Sequence, residues 1–478
     1  MRRTKIVCTI GPASQSPDVL ERLIRAGMDV ARLNFSHGTR GEHGQVLALI
    51  RSISDKLGKP VAILQDLAGP KLRVGTIDGE PGAGGAVQLQ KGDLFALTAN
   101  PIAGTARRAS VNYPVMIHDL KVGDTLLLAD GIIQLEVVTK GPQEVDCRVL
   151  IGGPLASHKG INVPAQIPSI PAFTRQDEED LLWGIEHEVD FAALSFVRTA
   201  EDLCQAKRIL EQKGSPIQLI AKIEKGSAVE NFDQIIDIAD GVMIARGDLG
   251  VEIPLERVPT IQKQLIKKAN VIGKPVITAT QMLISMVDNT RPTRAEAADV
   301  ANAVLDGSDA LMLSEETAVG IYPIDTVQTM TNIIREAEKS FPFWKGIEGI
   351  DRKAGAESST IEEAVSQASN DMAYYLKARA IITLTESGQT ARLVARYRPE
   401  APILAFTRHK STQRRLHLSW GVHPFLLSEF SDLDDMMGKA KQMAESNGWI
   451  CTDDIVVFTA GVPLKKPGNT NLIRADRV

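Results

Sequence analysis

Ile217-Gln-Leu-Ile-Ala-Lys-Ile-Glu-Lys-Gly-Ser-Ala-Val229 is a short apolar run that ends in charge. Its aliphatic residues read as a buried strand over 217–223. Residues two apart on a strand share a side, so Lys222 and Glu224 project together from its C-terminal end. A second apolar run, Val242-Met-Ile-Ala-Arg-Gly-Asp-Leu-Gly250, puts Asp248 just past another strand end. Two carboxylates from neighbouring strand ends can hold a divalent cation, and a lysine beside them can bind a phosphoryl oxygen. Lys222 and Glu224 alone would also suit a surface salt bridge at a turn, so the surrounding chain has to decide.

Outward from that stretch, short apolar runs alternate with amphipathic ones. Strands are expected over 5–10, 29–33, 61–64, 191–195, 217–223, 241–245, 276–278 and 310–313. Helices fit between them, for instance over 17–26, 41–56, 201–212 and 255–272. Eight strand–helix units predict a parallel sheet closed as a (β/α)8 barrel, an α/β fold. Residues 74 to about 168 break the pattern. They are rich in Gly and Val, with alternating stretches at 125–129, 132–139 and 144–150, and predict a small β-barrel lid domain inserted after strand three. A linker over 346–359 leads to a helix over 361–376, a strand over 380–384, a helix over 391–397 and strands over 403–406 and 454–459. That is an open α/β domain. The expected boundaries are 1–70 and 169–345 for the barrel, 71–168 for the lid and 346–478 for the C-terminal domain.

The bulk properties exclude several classes. A chain of 478 residues with 44% apolar content has ample core for more than one domain. A net charge of −5 argues against nucleic acid as a partner. Cys8, Cys147, Cys204 and Cys451 are scattered, so neither disulfides nor a zinc site is expected, and a reducing cytoplasm fits. The apolar stretch after Arg3 breaks at Gly11-Pro12, too soon for a signal peptide or a membrane span.

In a barrel of this type the C-terminal strand ends build the site. They carry Arg32 and Asn34, Asp66, Ser195, Lys222 and Glu224, Asp248, Thr280 and Glu315, in strand order from the second strand to the eighth.

These segments resemble the active-site signatures of pyruvate kinases. So do Met28-Asp-Val-Ala-Arg-Leu-Asn-Phe-Ser-His-Gly38, Ile277-Thr-Ala-Thr-Gln-Met-Leu283 and Arg291-Pro-Thr-Arg-Ala-Glu-Ala-Ala-Asp-Val-Ala-Asn-Ala-Val-Leu-Asp-Gly307. The resemblance runs unbroken from Thr4 to the C-terminus. It implies transfer of phosphate from phosphoenolpyruvate to ADP, giving pyruvate and ATP, by a cytoplasmic homotetramer. It implies Mg²⁺ (or Mn²⁺) on Glu224 and Asp248, and the phosphoryl group on Arg32 and Lys222 with Arg73 nearby. The amides of Gly247 and Asp248 would take the substrate carboxylate, with Ser195 lining the same pocket and the Thr280 hydroxyl near the enolate. Asn34, His37 and Lys159, the last within Ser157-His-Lys-Gly-Ile-Asn-Val-Pro164 on the lid, match nucleotide-side positions.

One segment departs from the commoner family pattern. Where many members have Asp-Thr-Lys-Gly-Pro-Glu, this chain has Asp66-Leu-Ala-Gly-Pro-Lys71. Asn34, Ser36 and Asp66 of the monovalent-ion site remain, and the Lys71 ammonium can stand in for K⁺, so the chain resembles the K⁺-independent branch. In the C-terminal domain Thr385-Glu-Ser-Gly-Gln-Thr390 opens the expected helix. Hydroxyls there are either helix caps or part of an anion site. The resemblance implies an effector pocket of Thr385, Ser387, Gly388, Gln389 and Thr390, with Lys465, Lys466 and Gly468 from the late loop. Glu386 stands where members regulated by fructose 1,6-bisphosphate often carry lysine, which points to a sugar monophosphate or AMP. Two other readings compete: a lyase or aldolase working on the same metal site, and a catalytically silent sugar-phosphate sensor. ADP dependence separates all three.

Overall fold

The computed structural model describes residues 2–78, 85–164, 167–343, 360–427, 429–463 and 469–478. Eight apolar runs form strands β1 (Lys5–Thr9), β2 (Val30–Asn34), β3 (Ala62–Asp66), β4 (Phe191–Leu194), β5 (Gln218–Ile223), β6 (Gly241–Ala245), β7 (Val276–Ala279) and β8 (Ala310–Leu313). Each pairs in parallel with the next and β8 pairs back to β1, so the barrel closes. The strands read as continuous apolar runs because both faces are covered. Val7, Leu64, Phe191, Ile220, Met243 and Ile277 fill the inside, while Ile6, Ile63, Leu219 and Ile244 face the helices. Thr39, Thr174 and Thr293 each close a reciprocal capping box with the acidic residue three positions on, which fixes where the following helix starts.

The floor of the barrel has a fourfold regularity. An aspartate immediately precedes each even strand: Asp29, Asp190, Asp240 and Asp309. Each is clamped to one residue of the preceding odd strand. Its carboxylate accepts that residue's amide, from Ile6 at 2.8 Å, Ile63 at 2.8 Å, Leu219 at 2.9 Å and Val276 at 3.2 Å. Its own amide donates to the same residue's carbonyl at 2.8–3.0 Å. A basic group neutralises every carboxylate: Arg2 on Asp29, Arg51 and Arg414 on Asp190, Lys207 on Asp240 and Arg398 on Asp309.

Between β3 and β4 the chain leaves the barrel. Ile161–Asn162, Thr125–Leu128, Ile133–Lys140, Glu144–Ile151, Leu94–Thr98 and Arg108–Ser110 form a six-stranded sheet in that spatial order. Gly153–Leu155 pairs with Val87–Leu89 beside it. Phe95, Leu126, Leu135, Cys147 and Leu155 share one buried core with its own boundary.

The C-terminal domain is a five-stranded sheet of β9 (Ala380–Leu384), β10 (Ile403–Thr407), β11 (Val422–Leu426), β12 (Ile455–Ala460) and β13 (Leu472–Arg477). Their spatial order is β11-β10-β9-β12-β13, with only β13 antiparallel. The expected linker 346–359 lies outside the described residues. The expected helix over 391–397 begins earlier and spans Gln389–Ala395. This domain closes the barrel floor: Leu418 belongs to the core inside the barrel, and the Lys5 ammonium donates to the Val422 carbonyl at 2.6 Å.

Two histidines in that seam give stability a pH dependence. Burial, then the Lys5 charge, pushes His417 down to about 4 and holds His423 well below its ordinary value. Both are neutral in the fold and take a proton readily only once unfolded. Their contribution is therefore present above the unfolded pKa of about 6.5 and is lost as pH falls toward the folded values. The melting temperature is expected to drop between about pH 6.5 and pH 4, and less so in His423→Gln. An unchanged slope in that variant would count against the seam as the source.

Candidate functional site

Lys222, on β5, sits at the centre of the strand ends. Its ammonium donates to Ser195 Oγ at 2.7 Å and pairs with Glu224 Oε1 at 2.8 Å and Asp66 Oδ1 at 3.2 Å. Burial alone would lower its pKa; the Asp66 and Glu224 carboxylates together outweigh that and raise it, so the group is a fixed cation. Asp66 is fully buried, which would raise its pKa, yet Lys222 and Arg32 hold it below the usual carboxylate range. Arg32 reaches Asp66 Oδ2 through Nε at 2.7 Å and Thr9 Oγ1 through Nη1 at 2.8 Å. Two cations are thus oriented by one buried carboxylate, with donor capacity left over.

Glu224 also accepts the Phe196 amide at 2.8 Å, and Phe196 takes the left-handed backbone (φ 58°) that aims it there. Asp248 opens the short helix Arg246–Glu252 at the end of β6. Its carboxylate makes no hydrogen bond or ion pair among the described residues. Burial, then the Glu224 charge, pushes it up to about 6. A pair of converging carboxylates, one of them unpartnered, fits a hard divalent cation that keeps water and substrate oxygens as its remaining ligands.

Gly247 and Thr280 meet beside this centre. The Gly247 amide, expected to be open for a substrate carboxylate, donates to Thr280 Oγ1 at 2.8 Å. The hydroxyl in turn donates to the Ala279 carbonyl at 2.6 Å. A side chain at Gly247 would meet Thr280 only at an ordinary 3.5 Å, so the protein's own packing does not demand glycine there. Ser195 is also committed within the protein: it donates to the Leu67 carbonyl at 2.7 Å while accepting Lys222. Glu315 begins the turn of helix Glu315–Ala318 after β8, and it is the neighbouring Glu316 that is buried, accepting the amides of Leu283 and Ser314.

On the lid side, the Asn34 side chain accepts the Ser36 amide at 3.2 Å. Partial burial first, then the charges of Lys71, Arg73 and Arg32, hold the His37 imidazole below its ordinary value. Lys71 is exposed, but its charge acts on both His37 and Asp248, so it faces this cleft. Arg73 donates to the His158 carbonyl at 2.8 Å and its backbone forms an isolated antiparallel bridge with Gly160, next to exposed Lys159.

The expected effector residues are largely engaged with one another. Glu386 is paired with Arg408 at 3.1 Å and His409 at 2.9 Å. Thr385 Oγ1 accepts the Gly388 amide at 2.9 Å, Ser387 Oγ accepts the Gln389 amide at 3.4 Å, and Thr390 shares a hydrogen bond with Thr470 at 2.7 Å. Lys465, Lys466 and Gly468 lie outside the described residues. Sequence reasoning missed Arg246, Thr9, the Phe196 amide and Lys225. Lys225 is held by the Glu252 carboxylate at 2.6 Å and donates to the Val163 carbonyl, just past the strand Ile161–Asn162 of the inserted domain, at 3.1 Å. Arg246 had a visible signal, since it directly precedes Gly247 within a quoted motif.

A closed barrel with cations and carboxylates gathered at one mouth is the frame of a phosphotransferase. Family models described as "Pyruvate kinase, barrel domain" and "Pyruvate kinase, alpha/beta domain" match residues 1–327 and 363–475. A pyruvate kinase of Geobacillus stearothermophilus is 47% identical over 476 residues, covering 99% of this chain and 80% of its own. One from Clostridium acetobutylicum is 44% identical over the whole of both chains. A solved pyruvate kinase from Cryptosporidium parvum superposes with a TM-score of 0.93 at 36% identity, over 100% of this chain and 96% of its own. The chain belongs to the pyruvate kinase family. Among the described residues no helix is long and apolar enough to cross a membrane.

Proposed function

We propose that this enzyme transfers the phosphoryl group of phosphoenolpyruvate to ADP and completes the reaction by protonating enolpyruvate to pyruvate. The observation that carries this is the Lys222 ammonium fixed among Asp66, Glu224 and Ser195, beside the unpartnered Asp248. Glu224 and Asp248 are the residues that would hold Mg²⁺, or Mn²⁺ in its place; when bound, the ion supplies charge neutralisation for the transferring group. Lys222 and Arg32 bind phosphoryl oxygens, with Arg73 behind them. The Gly247 amide takes the substrate carboxylate, and Thr280 with a water relay delivers the proton, since a threonine hydroxyl is too weak an acid alone. Asn34, His37 and Lys159 hold the nucleotide under the lid. The test is pyruvate formation from phosphoenolpyruvate with and without ADP. ADP-independent turnover would assign the site to a lyase, and no turnover to a sensor.

In this reading the enzyme works without K⁺. Two unit charges about 4 Å apart interact by ~4 kcal/mol at an effective dielectric near 20, so a fixed ammonium at Lys71 can supply what a bound K⁺ would. Nearly full activity is expected in buffers free of K⁺ and NH₄⁺ with only Mg²⁺ added, tetramethylammonium holding ionic strength. Lys71→Glu should lose activity and partly regain it with K⁺, because Asn34, Ser36 and Asp66 are still there. A wild type inactive without K⁺ would reject the substitution of Lys71 for the ion.

The enzyme is further read as a cytoplasmic homotetramer activated by a sugar monophosphate or AMP at Thr385, Ser387, Gly388, Gln389 and Thr390. The support is Glu386 within that segment, a carboxylate held by Arg408 and His409. A monophosphate should lower the half-saturating phosphoenolpyruvate concentration, and fructose 1,6-bisphosphate should do little. Strong activation by the bisphosphate alone would overturn that choice.

A further inference from the structure

The turn after β7 passes through two consecutive left-handed residues, Thr280 at φ 69° and Gln281 at φ 54°. Neither is glycine and one is β-branched. Such backbone persists only where the surroundings over-determine it. Here the surroundings are one guanidinium. Arg246 Nε donates to the Ala279 carbonyl at 3.2 Å and Nη2 to the Thr280 carbonyl at 2.8 Å, with Met282 Sδ against the same nitrogen. Those carbonyls belong to the peptide planes on either side of the Thr280 α-carbon, so gripping both fixes its φ and ψ. The other end of the fork is itself anchored. Nη1 donates to Asp299 at 2.8 Å on helix Arg294–Leu305 and to Gln262 at 3.4 Å on helix Val258–Val271. The hydroxyl so aimed is the one that accepts the Gly247 amide.

We propose that Arg246 is a positioning residue for the protonation half of the reaction, acting by holding Thr280 in its strained conformation beside the Gly247 amide. The inference rests on the reaction proposed above. It also gives the Thr280–Gly247 bond a meaning. The amide has one proton to donate; once a substrate carboxylate takes it, the Thr280 oxygen loses its donor but not its place, because Arg246 still holds the backbone. What substrate frees is an acceptor site on the Thr280 oxygen, open to the relay water, while its proton still rests on the Ala279 carbonyl. Lysine cannot replace this arginine, since a single ammonium does not reproduce a planar fork spanning two carbonyls and a carboxylate.

The test begins with wild-type turnover from phosphoenolpyruvate and ADP, whose absence would count against the proposed function and not against Arg246. In Arg246→Met, kcat and the exchange of pyruvate methyl protons with D₂O, followed by NMR, are expected to fall roughly 100-fold, the usual scale of a small misplacement. The KM for phosphoenolpyruvate and the Mn²⁺ titration should stay as in wild type. Arg246→Lys should fail to restore either rate. The double variant Arg246→Met/Thr280→Val should be no slower than Thr280→Val alone, because both changes remove one function. Equal losses in substrate binding and exchange, recovery by lysine, or additive losses would each overturn the proposal. If Arg246→Met does not fold, Asp299→Asn loosens the same fork and is read by the same exchange assay, where an unchanged rate overturns it.

Discussion

Lys222→Met is expected to lower turnover about 10²- to 10³-fold while leaving a folded protein, since removing one preorganised donor from a transition-state cradle raises the barrel's catalytic barrier by roughly 2.7–4 kcal/mol. The reasoning is positional. Three groups hold this ammonium at 2.7–3.2 Å, two of them carboxylates, and it is a cation at any working pH. No rearrangement is needed before it can receive phosphoryl charge. Methionine keeps the length of the side chain but leaves Glu224 and Asp66 without their shared counter-charge. The demand for a divalent cation should not rise, because the ion then becomes the main relief for those carboxylates. Steady-state rates at saturating phosphoenolpyruvate, with circular dichroism as a fold check, decide the matter. Turnover within a few-fold of wild type would remove Lys222 from the mechanism.

Arg398→Met is expected to destabilise the protein by about 3–5 kcal/mol, the usual loss when one partner of a buried ion pair is removed. Arg398 is 1% exposed and grips Asp309 through two parallel contacts of 3.0 Å. It also donates to the Gly307 carbonyl at 2.9 Å and to Asn270, tying the C-terminal domain to the floor of the barrel. Without it the Asp309 carboxylate stays buried with only the amides of Val276 and Trp420 for company. Asp309→Asn in the same background should recover part of the loss, because an amide needs no counter-charge. Denaturant midpoints measure both variants. A loss under about 1 kcal/mol, the worth of an exposed pair, would show that this pair behaves as a surface one.

What could be read from the sequence, and what could not, follows from how local each signal is. β6 and β8 have the bounds their apolar runs suggest, because a parallel strand covered on both faces carries its whole signal in its own residues. β2 runs one residue further than its apolar run, since Asn34 continues the ladder opposite Asp66. β11 was not expected: Pro424 breaks its pattern and is tolerated because the strand lies at the sheet edge. β13, Leu-Ile-Arg-Ala-Asp-Arg, is too charged to stand out and borders solvent at the other edge. In the site, period two was enough to put Lys222 beside Glu224. The contacts of Lys222 with Ser195 and Asp66 join different strands, and no spacing encodes them. The grip of Arg246 on the Thr280 turn depends on Asp299 and Gln262, which come from two other helices. The aspartates of the floor were on view, one before each even strand, but the long insertion before Asp190 hides their rhythm.

Those aspartates also say why the barrel tolerates the inserted domain. Three of the four clamped strand pairs are joined by short helical connections, and the pair β3–β4 is joined by the whole inserted domain. Yet Asp190 fastens Ile63 as Asp29 fastens Ile6, by the same two bonds. The insertion therefore hangs from a quarter of the barrel that is sealed without its help. Extra length between ends held this way adds only slowly to the entropy of closing the loop. The inserted piece can be lengthened or trimmed without reopening the barrel beneath it.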